Sequence, residues 1–371
     1  MSKIIIDARE YSSSTGRYIS RLIQYLELST QTNSEHEFVI LLAPKDFDAY
    51  TPSNPRFTKV ICPHKEFTFD EQFGLLGQIK DLHPDLVHFG ATQQPIGYRG
   101  LVVTTMHDLT TARFKNPSKN SVIFAVKQII YKAVIKYVAR KSVAIIAPSK
   151  YVQHDVAEYA SVTEAKISVT YEAADAVTDS PEPLKALVSK RFIMYVGRPT
   201  PHKNLQRLID AFVVLRQKQP DLQLVLAGRT DFLYERHYSY VQKQGIEGVV
   251  FTGFVSEGQL RWLYENCQAY IFPSLSEGFG LPGLEAMRHG APVISSNATC
   301  LPEIYGSAAR YFDPLSVDDM VQVIDDVIAS ELNRNQLRKN GFIRVENFSW
   351  QRMAKQTLAV YETVLATAHQ K

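Results

Sequence analysis

Glu277 and Glu285 stand eight residues apart, with the run Gly278-Phe279-Gly280-Leu281-Pro282-Gly283 between them. A short apolar run, Ala269 to Phe272, precedes them and reads as a buried strand. The second glutamate falls on the first turns of a helix. A strand, a glycine-rich turn and a helix start make a cradle for anions and sugars. Free N–H groups and the helix dipole favour negative charge there. Glycine lets backbone approach a ligand that a Cβ would hold off. One carboxylate on the loop and one on the helix can each accept hydrogen bonds from vicinal hydroxyls. The arrangement suits a phosphorylated sugar better than a bare phosphate.

Cations stand after another strand, in Val196-Gly197-Arg198-Pro199-Thr200-Pro201-His202-Lys203-Asn204. Two prolines stiffen this loop. Arginine offers a planar fork and lysine a compact point charge, so Arg198 and Lys203 can clamp a diphosphate. The bland alternative is two surface cations. Met106-His107-Asp108 ends a further strand, where His107 can bond a sugar hydroxyl and Asp108 can tune its charge. Gly16, in Thr15-Gly16-Arg17-Tyr18, opens the first helix and is placed to meet a phosphate oxygen or an acceptor. No strand is followed by G-x-G-x-x-G, which removes the main support for a nicotinamide or flavin dinucleotide. Asp46-Phe47-Asp48 is a literal D-x-D, but beside Lys45 it reads as a solvated loop, so no metal site is assigned.

The elements that must carry these residues alternate short β-branched runs with helical patterns. The helical patterns are Thr15–Glu27, Asp70–Leu82, Ser121–Lys141 and Lys150–Ala160 in the first half and Asn204–Gln219, Glu235–Gln244, Glu257–Cys267, Gly283–His289, Leu301–Tyr305 and Val317–Ser330 in the second. Strands are expected at Ile4–Asp7, Phe38–Ala43, Thr58–Cys62, Leu86–Phe89, Leu101–Thr105, Val143–Pro148 and Ile167–Tyr171. A second set falls at Phe192–Gly197, Leu222–Ala227, Val249–Gly253, Ala269–Pro273, Pro292–Ser295 and Ala309–Phe312. The rhythm means parallel sheets with helices on both faces. A polar connection over 172–191, with Pro181 and Pro183, separates two α/β domains. The expected domains are 1–175 and 190–349, with a last helix in 350–371 packing back on the first.

The 371 residues are comfortable for two cores. A net charge of +3 does not point to nucleic acid. Cys62, Cys267 and Cys300 match no metal or redox spacing and read as small buried apolar residues. A strand begins almost at once, so no leader is expected. No apolar run approaches the ~18–20 residues a spanning helix needs. A cytoplasmic protein is the expectation. Residues 109–154 carry nine Lys and Arg and no Asp or Glu. Within them Val122, Ile123, Val126, Ile129, Ile130, Ala133 and Tyr137 recur at helical spacing, with Lys127, Lys132 and Lys136 off that face. Two readings stand: an ordinary domain helix with a solvated basic side, or contact of 119–141 with an anionic membrane at its inner face.

The run Ser-Glu-Gly-Phe-Gly-Leu-Pro-Gly-Leu-Glu-Ala-Met resembles the E-x7-E motif of the retaining glycosyltransferases called glycosyl transferases group 1. Val-Gly-Arg…His-Lys-Asn is similar to that family's donor-phosphate loop, and Ser296 to Gly306 to the segment after its motif. The resemblance implies the GT-B fold: two Rossmann-like, doubly wound parallel-sheet domains facing across a cleft. It implies a nucleotide-diphosphate-sugar donor, with no further cofactor and no metal. Glu277 would then contact the transferred hexose, Glu285 the ribose, and Gly278, Phe279, Gly280 and Leu281 the sugar or phosphates. Gly197, Arg198 and Lys203 would hold the diphosphate, Val255 and Ser256 would border the base, and His107 with Asp108 would serve the sugar from the first domain. Where many members pair glycines in the first loop, this chain has Ser12-Ser13-Ser14-Thr15-Gly16. The surroundings of Phe69–Phe73, Pro84–Phe89 and His107–Leu109 resemble mannosyl- or rhamnosyl-type enzymes of polysaccharide assembly. That favours GDP-mannose as donor over a UDP- or ADP-sugar, and a glycan or lipid-linked acceptor. The rivals are a nucleotide-sugar-binding scaffold without catalysis, and an epimerase or phosphorylase of the same plan.

Overall fold

The computed structural model describes residues 2–13, 16–31, 35–114 and 121–370, and of residues 121–127 the backbone alone. Thr15 of the first loop and Lys119 lie outside the described residues, as do the side chains of Val122, Ile123, Val126 and Lys127. Two compact units form. The first takes the chain as far as Ala112, the stretch that ends at Glu172, and Ser349 onward; the second is built on Ala173–Phe348.

The first unit holds seven strands: β1 (Ser2–Ala8), β2 (His36–Leu42), β3 (Phe57–Ile61), β4 (Leu86–Phe89), β5 (Leu101–Thr105), β6 (Ala144–Ala147) and β7 (Ile167–Val169). Their order is β3-β2-β1-β4-β5-β6-β7, parallel throughout. β1 is apolar on both faces, with Ile4, Ile5 and Ile6 all at 0% exposure, as a sheet covered on both sides requires. Its helices are α1 (Arg17–Ser29), α2 (Leu76–Asp81), α3 (Thr110–Arg113), α4 (Ser121–Lys141) and α5 (Lys150–Ala160).

The second unit holds β8 (Arg191–Val196), β9 (Leu222–Ala227), β10 (Val249–Gly253), β11 (Ala269–Phe272), β12 (Val293–Ser296) and β13 (Ala309–Phe312), in the order β10-β9-β8-β11-β12-β13. Its helices are α6 (Leu205–Lys218), α7 (Phe232–Lys243), α8 (Glu257–Asn266), α9 (Leu281–Arg288), α10 (Leu301–Tyr305), α11 (Val317–Ile328) and α12 (Glu331–Val345). Both sheets are doubly wound. Strand order reverses once in each, between β1 and β4 and between β8 and β11, and ligands of such sheets sit beyond the strand C-termini at the reversal.

The last helix, α13 (Trp350–His369), belongs to the first unit and packs on α1. Its Tyr361 hydroxyl meets buried His88 Nδ1 at 2.5 Å, and His88 Nε2 lies 2.8 Å from Thr105 Oγ1.

Three local expectations need correction. Glu331–Val345 is a helix with no sequence forecast, because only Leu337, Gly341 and Val345 are buried on it. The stretch expected as one helix over 70–82 begins with a π-turn, Glu71–Leu75. Asp46-Phe47-Asp48 is no solvated loop: it lies in a 3-10 helix, Pro44–Ala49, with Asp46 only 2% exposed.

Candidate active site

In the second unit the loop after β8 and the loop after β11 flank the reversal. They are tied together before any ligand is considered. Leu275 N donates to His202 O at 2.7 Å, and Asn204, in the left-handed region at φ 60, donates from Nδ2 to Pro273 O and Pro314 O. This delivers Lys203 to the glutamate loop. Lys203 Nζ lies 2.6 Å from Glu277 Oε1, with both side chains largely withdrawn from solvent, and 5.4 Å from the centre of the Phe272 ring.

Glu277 is braced from its own backbone. Its N–H donates to Thr299 Oγ1 at 3.1 Å, and its carbonyl accepts from Cys300 Sγ. Thr299 takes a φ of 54. A β-branched residue there is strained, and such strain persists only where its surroundings over-determine it.

The glycines that follow are explained by Tyr305. Its ring is buried under the turn, and its hydroxyl donates to Gly280 O at 2.6 Å. A Cβ on Gly280 would fall 2.5 Å from that hydroxyl, and one on Gly283 2.3 Å from it. Gly280 also needs φ 93 to cap α9. Gly278 and Phe279 are buried in the turn, Leu281 begins α9, and Glu285 follows one turn later, half-buried.

Arg198 is placed differently from Lys203. Its side chain is 66% exposed, and its Nε donates to Asp231 Oδ2 at 2.7 Å. Asp231 also caps α7 by accepting from Leu233 N and Tyr234 N. Burial alone would raise its pKa, but Arg198 and these N–H donors outweigh that and lower it. The described contacts therefore pair Lys203 with Glu277 and Arg198 with Asp231, rather than setting the two cations as one free clamp. Gly197 follows β8 at φ 140, and a Cβ on Gly228 would fall 2.5 Å from its carbonyl oxygen. Ser256 caps α8: its Oγ accepts from Gln259 N and donates to Glu182 Oε2. It and half-buried Val255 follow β10, two strands from β8.

In the first unit a hollow of about 50 Å³ opens at the β1–β4 reversal. Asp7, Arg9 and Glu10 line it from β1 and its loop, Gly90, Ala91 and Gln93 from the loop after β4. His107 reaches it from β5 and Glu66 from the loop after β3. Both imidazole nitrogens of His107 face oxygen: Nε2 lies 3.0 Å from Gly90 O and Nδ1 3.3 Å from Glu172 Oε1. Burial lowers its pKa, yet the bond and charge of Glu172 win and raise it. The charge of Asp108 adds to that rise, as expected, but Glu172 contributes more. Asp108 Oδ1 also accepts from Thr110 N at 2.7 Å, at the start of α3. Glu66 is pushed up to about 7 by burial, against the pull of Arg9, with Glu10, Asp7 and Glu71 adding to the rise. Gly16 precedes α1 with an ordinary φ of −72; a Cβ there would strike Glu10 O at 2.0 Å, so it serves its own tight turn.

Residues 178–344 match the model of glycosyl transferases group 1, and residues 16–177 that of glycosyltransferase family 4. Each of these two glycosyltransferase models accounts for less than half of the chain, and together they resemble most of its length. The serotype-specific mannosyltransferase WbdA of Escherichia coli is 30% identical over 240 residues, 61% of this chain and 29% of WbdA. The MMP alpha-(1->4)-mannosyltransferase of Mycolicibacterium hassiacum is 32% identical over 237 residues, 62% of this chain and 56% of the relative. The chain therefore spans less than two thirds of these relatives. Among solved structures, sucrose-phosphate synthase from Thermosynechococcus elongatus superposes with a TM-score of 0.76 at 19% identity, over 99% of this chain and 100% of that one. That likeness shows the GT-B fold.

Several residues at the two reversal points carry little or no local sequence signal. Thr299, Tyr305, Asp231 and Glu172 reach their partners over spans of 22, 25, 33 and 65 residues. Only Thr299 and Tyr305 had a hint, since both stand in the Ser296–Gly306 segment. Among the described residues no group of three or more His, Cys, Asp or Glu side chains is arranged to hold a metal ion.

Proposed function

We propose that this chain is a retaining hexosyltransferase that moves mannose from GDP-mannose to a glycan or lipid-linked acceptor. The observation that carries the reading is the Lys203–Glu277 pair, 2.6 Å apart at the β8–β11 reversal, against a glycine-rich turn and the start of an eight-residue helix. The names of the mannosyltransferase relatives support the sugar.

In this reading the donor's diphosphate draws Lys203 away from Glu277, and the released carboxylate accepts from the hexose hydroxyls. Glu285 takes the ribose. Arg198, Lys203 and the N–H groups opening α9 meet the charge that grows on the leaving diphosphate, so the transfer runs without a metal. Preorganised charge of this kind is usually the largest catalytic contribution. His107, its pKa raised by Glu172, exchanges its Gly90 O partner for a sugar hydroxyl on the first unit. Attack comes from the face the diphosphate leaves, and the departing diphosphate oxygen accepts the acceptor's proton. Trapping a covalent glycosyl-enzyme would refute that path.

The test is a thermal-shift screen of nucleotide sugars. A donor at one hundred times its Kd stabilises the fold by about 2.7 kcal/mol through mass action. GDP-mannose is expected to raise Tm the most, and Glu277→Ala to keep that shift while losing transfer. The reading fails if no nucleotide sugar moves Tm, or if Glu277→Ala turns over at the wild-type rate.

A further inference from the structure

The first unit presents aromatic and aliphatic side chains to solvent in one connected region. Phe67, Phe69 and Phe73 are 70%, 85% and 72% exposed, all within seven residues of the loop after β3. Ile130 and Tyr137 project from α4, and Ile96 from the loop after β4. These pieces touch. The rings of Phe67 and Tyr131 lie 6.4 Å apart, Ile96 N donates to Gln72 Oε1 at 2.9 Å, and Tyr137 Oη donates to Ile96 O at 3.3 Å.

Helix α4 has two apolar sides. Ile135, Val138 and Ala139 are buried in the core, whereas Ile129, Ile130 and Tyr137 are exposed. The stripe singled out in the sequence thus faces outward where it is described, and an ordinary helix with only a basic solvated side does not describe it. Lys132, Lys136, Arg140 and Lys141 border the stripe, and no acid falls between residues 109 and 154.

The phenylalanines are held outward by the fold. Phe67 occupies the left-handed region at φ 60, which is costly for a bulky residue. Buried Glu71 secures it by accepting from Phe67 N and from Arg9 Nη2. Of the other acids beside the rings, Asp70 is bonded to His64 and Glu66 lines the hollow. A soluble surface has no use for three rings fixed in water, and contiguous apolar patches mark contact sites.

The geometry points to this face as a docking surface for an anionic lipid bilayer. Rings and aliphatic chains enter the headgroup boundary while the lysines and Arg140 meet lipid phosphates, the division of labour of interfacial helices. The surface lies beside the hollow at the β1–β4 reversal, since Glu66 lines that hollow and directly precedes Phe67. An acceptor carried on a lipid would then present its head to the hollow from the membrane plane.

The experiment is flotation of the full chain with vesicles of mixed phosphatidylcholine and phosphatidylglycerol, against phosphatidylcholine alone. The chain is expected to float with the anionic vesicles and to release as salt rises. Phe69→Ser with Phe73→Ser should lower binding about tenfold with Tm unchanged, since both rings are already in water. Lys132→Glu should weaken binding less and flatten its salt dependence. No flotation, or equal flotation of the double variant, overturns the proposal. So does a wild-type dimer in sedimentation that the same variant dissociates, because a second copy would then be the occupant. Bare vesicles carry no donor, so this outcome is separate from the nucleotide-sugar screen.

Discussion

At the scale of single residues, the glycine-rich turn is shaped from below. Tyr305 fills the space where side chains at 280 and 283 would go. Gly283 has no positive φ to defend, so its substitution isolates the steric contribution. Gly283→Ala is expected to destabilise by about 1–3 kcal/mol, the range of overpacked cores, measured by urea unfolding. Tyr305→Phe removes the hydroxyl that the new methyl strikes at 2.3 Å but keeps the ring carbon Cζ at 2.4 Å, so the relief is partial. The double variant should therefore be less destabilised than the two single effects added together, which a double-mutant cycle reads directly. Strict additivity would mean that the hydroxyl is not the obstacle. The glutamates and Lys203 were legible as a motif because their chemistry repeats in a short window. Their braces were not, since Thr299 and Asp231 act across loops that only the folded sheet brings together.

At the scale of elements, all thirteen strands could be read from the sequence, because each is a compact apolar run between turn signals. Several matched to the residue, including Leu86–Phe89 and Leu222–Ala227. Helix α12 could not, since a stripe of one buried position per turn among Asn, Arg, Gln and Lys looks like a polar loop. The π-turn at Glu71–Leu75 was equally hidden: its Glu71 meets Arg9, 62 residues away, and no local pattern announces that contact. Helix α13 is fastened by more than its apolar side. Tyr361, His88, Thr105 and Tyr18 form one buried chain of hydrogen bonds, with Tyr18 Oη 2.9 Å from Thr105 Oγ1. Tyr361→Phe leaves a buried imidazole nitrogen without its hydroxyl and should cost about 1–3 kcal/mol. Chemical denaturation monitored on the first unit checks it; a cost near zero would mean that apolar packing alone holds α13.

At the scale of the molecule, pH acts unevenly on the two units. Burial, with His107 adding to it, brings His88 down to about 3. Between that value and the ordinary histidine range the unfolded chain binds a proton that the native chain does not. Stability is therefore lost as pH falls below about 6.5. His107 has the opposite sign: its raised pKa contributes stability at low pH that disappears as pH rises through the folded value. His237 and His289 of the second unit are also lowered, by burial first, but less far. Hydrogen exchange at pH 7 and pH 5 should show protection in β4, β5 and α13 falling more than in β8, β9 and β11. Equal loss in both units would refute this placement of the acid-sensitive group.

The order of the chain adds a constraint on synthesis. A ribosome finishes all seven strands of the first sheet long before it delivers Tyr361, because the whole of Ala173–Phe348 is translated in between. Domains generally fold as units while they emerge, yet here His88 waits for its hydroxyl until the second sheet has been made. The nascent first half must persist with one flank of α1 bare, and that interval is when chaperones have most to bind.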